Sequence, residues 1–260
     1  MKRLVNITPF KISLLLLLSA LSFLIDANEI DVVTEYLSPY QIKNDDNSLG
    51  GFSTEVIHDL FKITGDRPNI RVMPWARAYA TAQNTKNTMI YSIAKTAKRL
   101  TKFHWIGELI YEEYYFWGLA SNKSLAKLSL DALKHYRIAT SRHSNEYEYL
   151  TEQNFEKIYP VVNGDQRTQM LYKERIELII ETEVTLKSNT RKLNLDFNEL
   201  QKLHSIDNLN ATLSIAFNIN SDPKLIKKYK EAFSQLKESG QLTKLQNKWG
   251  LPSTSVGISD

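Results

Sequence analysis

Short strand-like runs alternate with amphipathic helix-like segments along this chain, and no other sequence feature restricts its fold as much. The strand-like runs are rich in Val, Ile, Thr and Tyr, the residues that favour β-structure. In chain order they are EIDVVTEY, NIRVMPW, TMIYSIA, HYRIAT, KIYPVV, IELIIE and ATLSIAF. Strand, helix and strand in repeated order predict an α/β fold whose sheets are largely parallel.

The clearest helix-like segment, GFSTEVIHDLFKITG, follows the first strand-like run. Its apolar residues recur with helical spacing and form one face: Val56, Ile57, Leu60 and Phe61. Ser53 or Thr54 is expected to cap the start of this helix, and Gly65 to end it.

A second long helix is predicted near the carboxyl end, in SDPKLIKKYKEAFSQLKESG. Ser221 or Asp222 suits its N-cap, Pro223 suits its first turn, and Gly240 marks its end. The short segment LTKLQNKWG follows that break.

The amino terminus has the layout of a secretory signal peptide. Lys2, Arg3 and Lys11 precede an apolar run at 12–25, and small or polar residues follow near Ala27. The run has fourteen residues, fewer than the roughly 20 that span a bilayer as a helix. We therefore expect cleavage after Ala27; a retained membrane anchor is the alternative.

The composition restricts the compartment and the partners. Removal of the first 27 residues leaves 233 of 260, enough for one large or two modest domains. The chain has no cysteine, so neither disulfides nor a lipid-bearing cysteine contributes, which suits a bacterial periplasm. The net charge falls from +4 to about +2, because three cations and one anion are lost with the leader. This balance indicates no nucleic-acid partner.

Polar residues follow several of the strand-like runs directly. Arg99 comes soon after TMIYSIA, SRHSNE follows HYRIAT, and TEV follows IELIIE. In open α/β sheets, ligands bind beyond the carboxyl ends of the strands. These three segments are therefore expected to meet in one cleft.

Six segments in this order resemble a known family of binding proteins. They are YLSPYQ, GGFSTEVIHDLF, SIAKTAKRLTKFHW, KHYRIATSRHSNEYEYL, MLYKERIELIIE and SGQLTKLQNKWG. In register, they are similar to the bacterial extracellular solute-binding proteins of the polar amino-acid type, family 3, which serve ABC importers. The resemblance covers nearly the whole chain after the leader.

The resemblance implies a two-lobed periplasmic-binding-protein fold of type II, with two crossover strands joining the lobes. Lobe 1 would be 28–115 plus 206–253, lobe 2 would be 116–205, and 254–260 would be a tail. A small amino-acid-like or carboxylate solute would be trapped as the lobes close. The implied protein is a periplasmic monomer that delivers its solute to the membrane subunits of an ABC permease, without a cofactor or nucleic acid and without catalysing a reaction.

Arg99 matches the arginine that binds the solute's α-carboxylate in this family. A guanidinium presents a planar fork of donors that fits a carboxylate. The alternative is a solvated surface arginine beside Lys95 and Lys98. Ser92 matches a further family contact. Ala94 departs from the family, because many members have a hydroxyl there.

In the stretch PWARAY, Trp75 and Arg77 follow a predicted strand. The resemblance leaves two interpretations open. Trp75 stacks on the solute and Arg77 adds a second anion contact, or Trp75 is core and Arg77 forms a structural ion pair. Two arginines in the cleft would favour a solute with two acidic groups.

The second lobe departs from the family at the position of its ammonium-binding aspartate. Thr182 stands there, between Glu181 and Glu183. Either a glutamate takes over by a shift of one residue, or the solute lacks an ammonium group. Ser144 and Asn145 match a polar turn that contacts the solute, although such turn residues are common for local reasons. Tyr36 and Tyr40 are candidate aromatic walls, and Tyr40 equally suits the core.

Other chemistries find little support in the sequence. The five histidines lack metal-ligand spacing, and neither a G-x-S-x-G motif nor a phosphate loop is present. Two alternatives to transport stay open. One is a ligand sensor that docks on a membrane receptor; the other is a lyase or dehydratase for small acids, with Glu181 or Glu183 as acid or base.

Overall fold

The computed structural model describes residues 28–252. The predicted signal peptide, 1–27, and the predicted tail, 254–260, lie outside the described residues. The strands are β1 (Glu29–Thr34), β2 (Ile42–Lys43), β3 (Leu49–Gly50), β4 (Arg67–Val72), β5 (Met89–Ala94), β6 (Phe103–Glu112), β7 (Tyr115–Leu119), β8 (Arg137–Ser141), β9 (Lys157–Val161), β10 (Leu178–Glu181), β11 (Leu200–Ser205) and β12 (Ala211–Asn218). The α-helices are α1 (Phe52–Thr64), α2 (Trp75–Asn84), α3 (Leu130–Leu133), α4 (Asn145–Glu152), α5 (Gly164–Tyr172), α6 (Glu183–Lys192), α7 (Pro223–Glu238) and α8 (Gln241–Lys248).

Ten of these strands form two five-stranded sheets. The first has the order β4-β1-β5-β12-β6 and the second the order β11-β7-β10-β8-β9. In the first sheet only β12 runs against the other four strands. In the second only β7 does so. The prediction of an α/β fold with largely parallel sheets is therefore confirmed.

The chain passes between the two sheets twice. It leaves the first sheet after β6 and enters the second at β7, and it returns between β11 and β12. Both crossings are short. They lie side by side, because the amide of Ile206 donates to the carbonyl of Tyr114 at 2.9 Å. The exact lobe limits, 28–115 plus 206–253 and 116–205, stay predictions.

Apolar side chains cover both faces of each sheet, and this explains why the strand-like runs are so apolar. On the first sheet, α1, α7 and α8 pack on one face and α2 on the other. All six residues of β5 are buried. The second sheet likewise lies between two apolar clusters.

The helix predictions are confirmed in position and only partly in capping. Gly65 ends α1 in the left-handed conformation, and Asp222 caps α7 by accepting from the amide of Lys224. Ser53 and Thr54, however, do not cap α1, which begins after Gly51. Both hydroxyls are buried and bond instead to side chains of β5.

Every predicted strand is present, but three of the longer strands were not predicted: β6, β7 and β11. β6 and β11 are edge strands of the two sheets, and all three lie next to the crossings between the sheets. Gly107 in β6 shows how closely this part is packed. A Cβ at Gly107 would lie 2.2 Å from ring atoms of Phe233 on α7.

We expect Gly107→Ala to lower the free energy of unfolding by about 1–3 kcal/mol, because the added methyl overpacks the contact with Phe233. Urea denaturation followed by circular dichroism measures this. Ser234→Ala, an exposed change next to Phe233 on α7, is the control and should leave stability nearly unchanged. Equal stability of Gly107→Ala and the unaltered protein would contradict the close packing.

Candidate functional site

A small cavity lies between the two sheets, and we call it the cleft cavity. From the side of the first sheet it is lined by Trp75, Ser92 and Arg99, among others. From the side of the second sheet the lining includes Ser144, Arg167 and Glu181. Its volume is about 50 Å³, well below the roughly 300–1,000 Å³ of typical ligand pockets.

Arg99 is buried although its side chain is charged. Only 1% of its surface is exposed, and its guanidinium carbon lies 5.5 Å and 5.0 Å from the ring centroids of Trp75 and Tyr79. The guanidinium makes long bonds, 3.4 Å to the carbonyl of Ala94 and 3.3 Å to that of His143. Its Nε has no acceptor among the described residues. A carboxylate would therefore find unused donor capacity here.

Trp75 connects the two sides of the cavity. It is the first residue of α2, is buried, and stacks on Tyr79 with a centroid distance of 5.7 Å. Its indole Nε1 donates to the carbonyl of His143 at 2.9 Å. That carbonyl belongs to the turn after β8, so Trp75 and Arg99 both donate to one acceptor on the opposite lobe.

Ser92 lies in β5 at a local irregularity. Its φ of +56° is in the left-handed region, and the pairing of β5 with β12 shifts register beside it. This strained conformation places the hydroxyl against Ser53, to which it donates at 2.9 Å, and against the amide of Gln41. Backbone strain of this kind is frequent at functional sites.

Glu181 and Arg167 form a buried ion pair on the second side of the cavity. Both residues are less than 5% exposed, and Nη2 of Arg167 donates to Oε2 of Glu181. Glu181 also accepts from the amide of Thr182 at 3.1 Å. Burial alone would lower the pKa of Arg167, but Glu181 and Glu146 raise it above its usual value. Arg167 therefore stays charged, while its Nε finds no acceptor within residues 28–252.

Three further glutamates, Glu35, Glu112 and Glu146, line the same cavity. Burial raises the pKa of Glu35 to about 8; Arg167 opposes this shift and Glu146 adds to it. Burial raises the pKa of Glu112 to about 7, although the hydroxyls of Tyr40 and Tyr114 beside it partly offset this. The cleft cavity thus brings four carboxyl groups together with two guanidinium groups.

Ser144 and Asn145 lie where α4 begins, and both line the cavity. Ser144 caps α4, because its hydroxyl accepts from the amide of Tyr147 at 3.1 Å. The side chain of Asn145 donates to the carbonyl of Leu209 in the returning crossover. Tyr36 also lines the cavity while keeping 41% of its surface exposed.

Three predicted site residues lie away from the cleft cavity. Arg77 is exposed on α2, because residues two apart on a helix do not share a face. Thr182 caps α6 by accepting from the amide of Thr185, and Tyr40 packs edge-on against Phe52. Both line a separate cavity of about 610 Å³ near the crossovers, as does Glu183, which pairs with Lys202.

Sequence reasoning missed Glu35, Glu112, Glu146 and Arg167. Glu35 directly follows β1, so the rule that ligands bind at strand ends would have found it. Glu146 lies in the segment SRHSNE after β8, one residue beyond Asn145. Arg167 and Glu112 carry no local signal, because only the tertiary fold brings them to the cavity.

Within residues 28–252, the His, Asp and Glu side chains form no group of three that could hold a metal ion. In the same range, no helix is long and apolar enough to cross a membrane.

The sequence matches the bacterial extracellular solute-binding proteins, family 3, over residues 30–252, and the chain belongs to this family. No curated protein sequence matches it. The fold is that of the two-lobed periplasmic binding proteins. This confirms the resemblance drawn from the six sequence segments.

Solved structures with the same fold come from transport and from signalling. A histidine kinase sensor domain with similarity to periplasmic binding proteins has a TM-score of 0.76 at 16% identity, covering 86% of this chain and 97% of its own. An ancestral arginine-binding protein bound to arginine has a TM-score of 0.73 at 16% identity, covering 85% and 98%. A putative L-cystine ABC transporter protein from Listeria monocytogenes has a TM-score of 0.73 at 22% identity, covering 86% and 96%.

The raised pKa of Glu35 predicts how stability changes with pH. The folded protein holds this proton up to about pH 8, whereas an unfolded glutamate loses it near pH 4.3. Glu35 therefore makes the folded state less stable as the pH rises through this window. We expect Glu35→Gln to raise the free energy of unfolding at pH 8 and to change it much less at pH 5.

Urea denaturation at the two pH values measures this difference. Glu174→Gln, a change of an exposed glutamate outside the cavity, is the matched control and should show the same small effect at both. A Glu35→Gln gain that is larger at pH 5 than at pH 8 would have the wrong sign for a carboxyl whose pKa is raised in the folded state.

Proposed function

We propose that this chain is a periplasmic solute-binding protein that captures a small amino-acid-like solute by hinge closure and delivers it to an ABC permease. One observation carries the proposal. Buried guanidinium groups with unused donors and buried carboxyl groups line the same cavity between two lobes. A zwitterion, with its carboxylate and its ammonium, complements both kinds of group.

The size of the cavity supports a mechanism of opening and closing. A volume of about 50 Å³ is much smaller than the roughly 300–1,000 Å³ of typical ligand pockets. A solute therefore enters only when the lobes separate. The contacts that must break include Trp75 and Arg99 to the His143 carbonyl, Arg99 to Glu148 at 3.5 Å, Ser38 to Ser188 at 2.6 Å, and Lys98 to Glu152.

Family membership supports the proposed partner and location. Extracellular solute-binding proteins act outside the cytoplasmic membrane, and the leader-like segment at 1–27 fits export to the periplasm. The permease would recognise the closed form, which the solute stabilises. We propose a monomer with no cofactor, no nucleic-acid partner and no chemical turnover.

A second candidate function is ligand sensing. The similarity to a histidine kinase sensor domain, at a TM-score of 0.76, favours it. Transport and sensing use the same closing cleft and differ in the membrane partner. Co-purification with membranes that carry a permease or a sensor kinase distinguishes them.

A thermal-shift screen of the purified protein against amino acids, polyamines, organic acids and short peptides identifies the solute. A solute at 100 times its dissociation constant should stabilise the protein by about 2.7 kcal/mol. We expect Arg99→Ala to weaken binding of that solute at least about 30-fold, because truncating one partner of a buried charged pair costs 2 kcal/mol or more. Titration calorimetry measures this, and circular dichroism checks the fold.

The matched control is Arg77→Ala, which removes an exposed arginine of the same lobe. It should leave the affinity unchanged. If Arg99→Ala binds as well as the unaltered protein, Arg99 does not hold the solute. If Arg77→Ala weakens binding equally, the effect does not come from the cleft cavity.

Tryptophan fluorescence should respond to the solute, because Trp75 lies at the cavity wall and bonds across it. Trp75→Phe should remove most of the change. Trp105→Phe, whose indole donates to the carbonyl of Leu100, should preserve it. A response that survives Trp75→Phe would place the change elsewhere in the protein.

A further inference from the structure

The cleft cavity has more carboxyl groups than guanidinium groups. Four carboxyl groups line the cavity, those of Glu35, Glu112, Glu146 and Glu181. Of the two guanidinium groups, Arg167 is committed to Glu181. Arg99 makes one long contact of 3.5 Å to Glu148, which lies outside the lining.

Three carboxyl groups are therefore left without a cation of their own. Glu146 is 8% exposed and Glu112 is 4% exposed. Oε2 of Glu112 accepts from the hydroxyl of Tyr114 at 2.9 Å, while Oε1 is buried with no hydrogen-bond partner among the described residues. Isolated buried carboxylates are costly, so they neutralise by taking up protons or by binding cations.

We propose, on the basis of the function proposed above, that the solute carries two cationic groups and one carboxylate, as a basic amino acid does. Arg99 holds the carboxylate. Glu35, Glu112 and Glu146 hold the cations and determine specificity. No nucleophile or cofactor is needed, because binding forms no covalent bond.

The groups around these carboxyls fix how binding responds to pH. Glu35 faces Arg167, Glu146 and Glu181. Glu112 faces Tyr40, Tyr114, Glu146 and Glu181. A cation must displace the protons that these two carboxyls hold near neutral pH. Its affinity therefore rises as the pH increases from 6 to 8.5.

The test compares three ligands of similar length by titration calorimetry, using the chain from residue 28 onward. L-lysine has both cations and the carboxylate, L-norleucine lacks the side-chain cation, and cadaverine lacks the carboxylate. We expect lysine to bind at least about 30-fold more tightly than norleucine, because norleucine has no side-chain cation to pair with the carboxyl groups of the cavity. The ratio of the two affinities should increase between pH 6 and pH 8.5.

Each alternative outcome identifies what is wrong. If norleucine binds as tightly as lysine, or if the ratio of their affinities falls with pH, the claim that the site holds a second cation is wrong. If cadaverine binds as tightly as lysine, the claim that Arg99 holds a carboxylate is wrong. If none of the three binds while an organic acid or a peptide from the thermal-shift screen does, the inference fails and the proposed function stands. If no solute of any class binds, the proposed function itself fails.

A variant separates specificity from structure. Glu146→Gln should weaken the binding of lysine at least about tenfold, since a hydrogen bond to a charged group is worth about 1.5–3 kcal/mol. Glu174→Gln, the exposed control, should leave the affinity for lysine unchanged. An unchanged affinity for lysine in Glu146→Gln, with the fold intact by circular dichroism, would overturn the assignment of Glu146 to a cation.

Discussion

Burying charge between the two lobes is the constraint on which the rest of the structure depends. The desolvation of Arg167 and Glu181 costs several kcal/mol per ion and is offset only by a close pair with further hydrogen bonds. Well-packed apolar residues at such positions are often at least as stable. Stability alone therefore does not explain why this cavity concentrates four carboxyls and two guanidiniums, whereas the proposed recognition of a charged solute would explain it.

The topology explains how these groups come together. Glu35 follows β1 and Arg99 follows β5, while Glu146 follows β8 and Glu181 ends β10, so the carboxyl ends of strands from both sheets face the same gap. Glu112 occupies a different kind of position. It is the last residue of β6, directly before the chain crosses to the second lobe. A solute bound to Glu112 would therefore lie beside one of the two connections between the lobes.

The sequence predicted the fold well, because its signals are local. β5 could be identified because its sequence, MIYSIA, is almost entirely apolar, and all its residues are indeed buried. β6 was missed because Gly107 and Glu108 interrupt its apolar pattern. At the site, Arg99 was predicted from the family resemblance together with its place after a strand, and it lines the cleft cavity. Arg167 could not be found, because nothing in GDQRTQ distinguishes a buried arginine from a solvated one. The question between Glu181 and Glu183 depended on one residue of register, and the side chain of Glu181 is the one that lines the cleft cavity.

The His143 carbonyl links binding to closure. It accepts from Trp75 at 2.9 Å and from Arg99 at 3.3 Å, and the second bond is long for a charged donor. A carboxylate on Arg99 would exchange a weak contact for a strong one while leaving the bond from Trp75 in place. The closed arrangement would then gain most of its stability from the solute. A ligand can shift an equilibrium only by its difference in affinity for the two states. Under the proposed mechanism, the long contact of Arg99 across the cleft therefore leaves the solute to supply much of the difference in stability between the open and closed states.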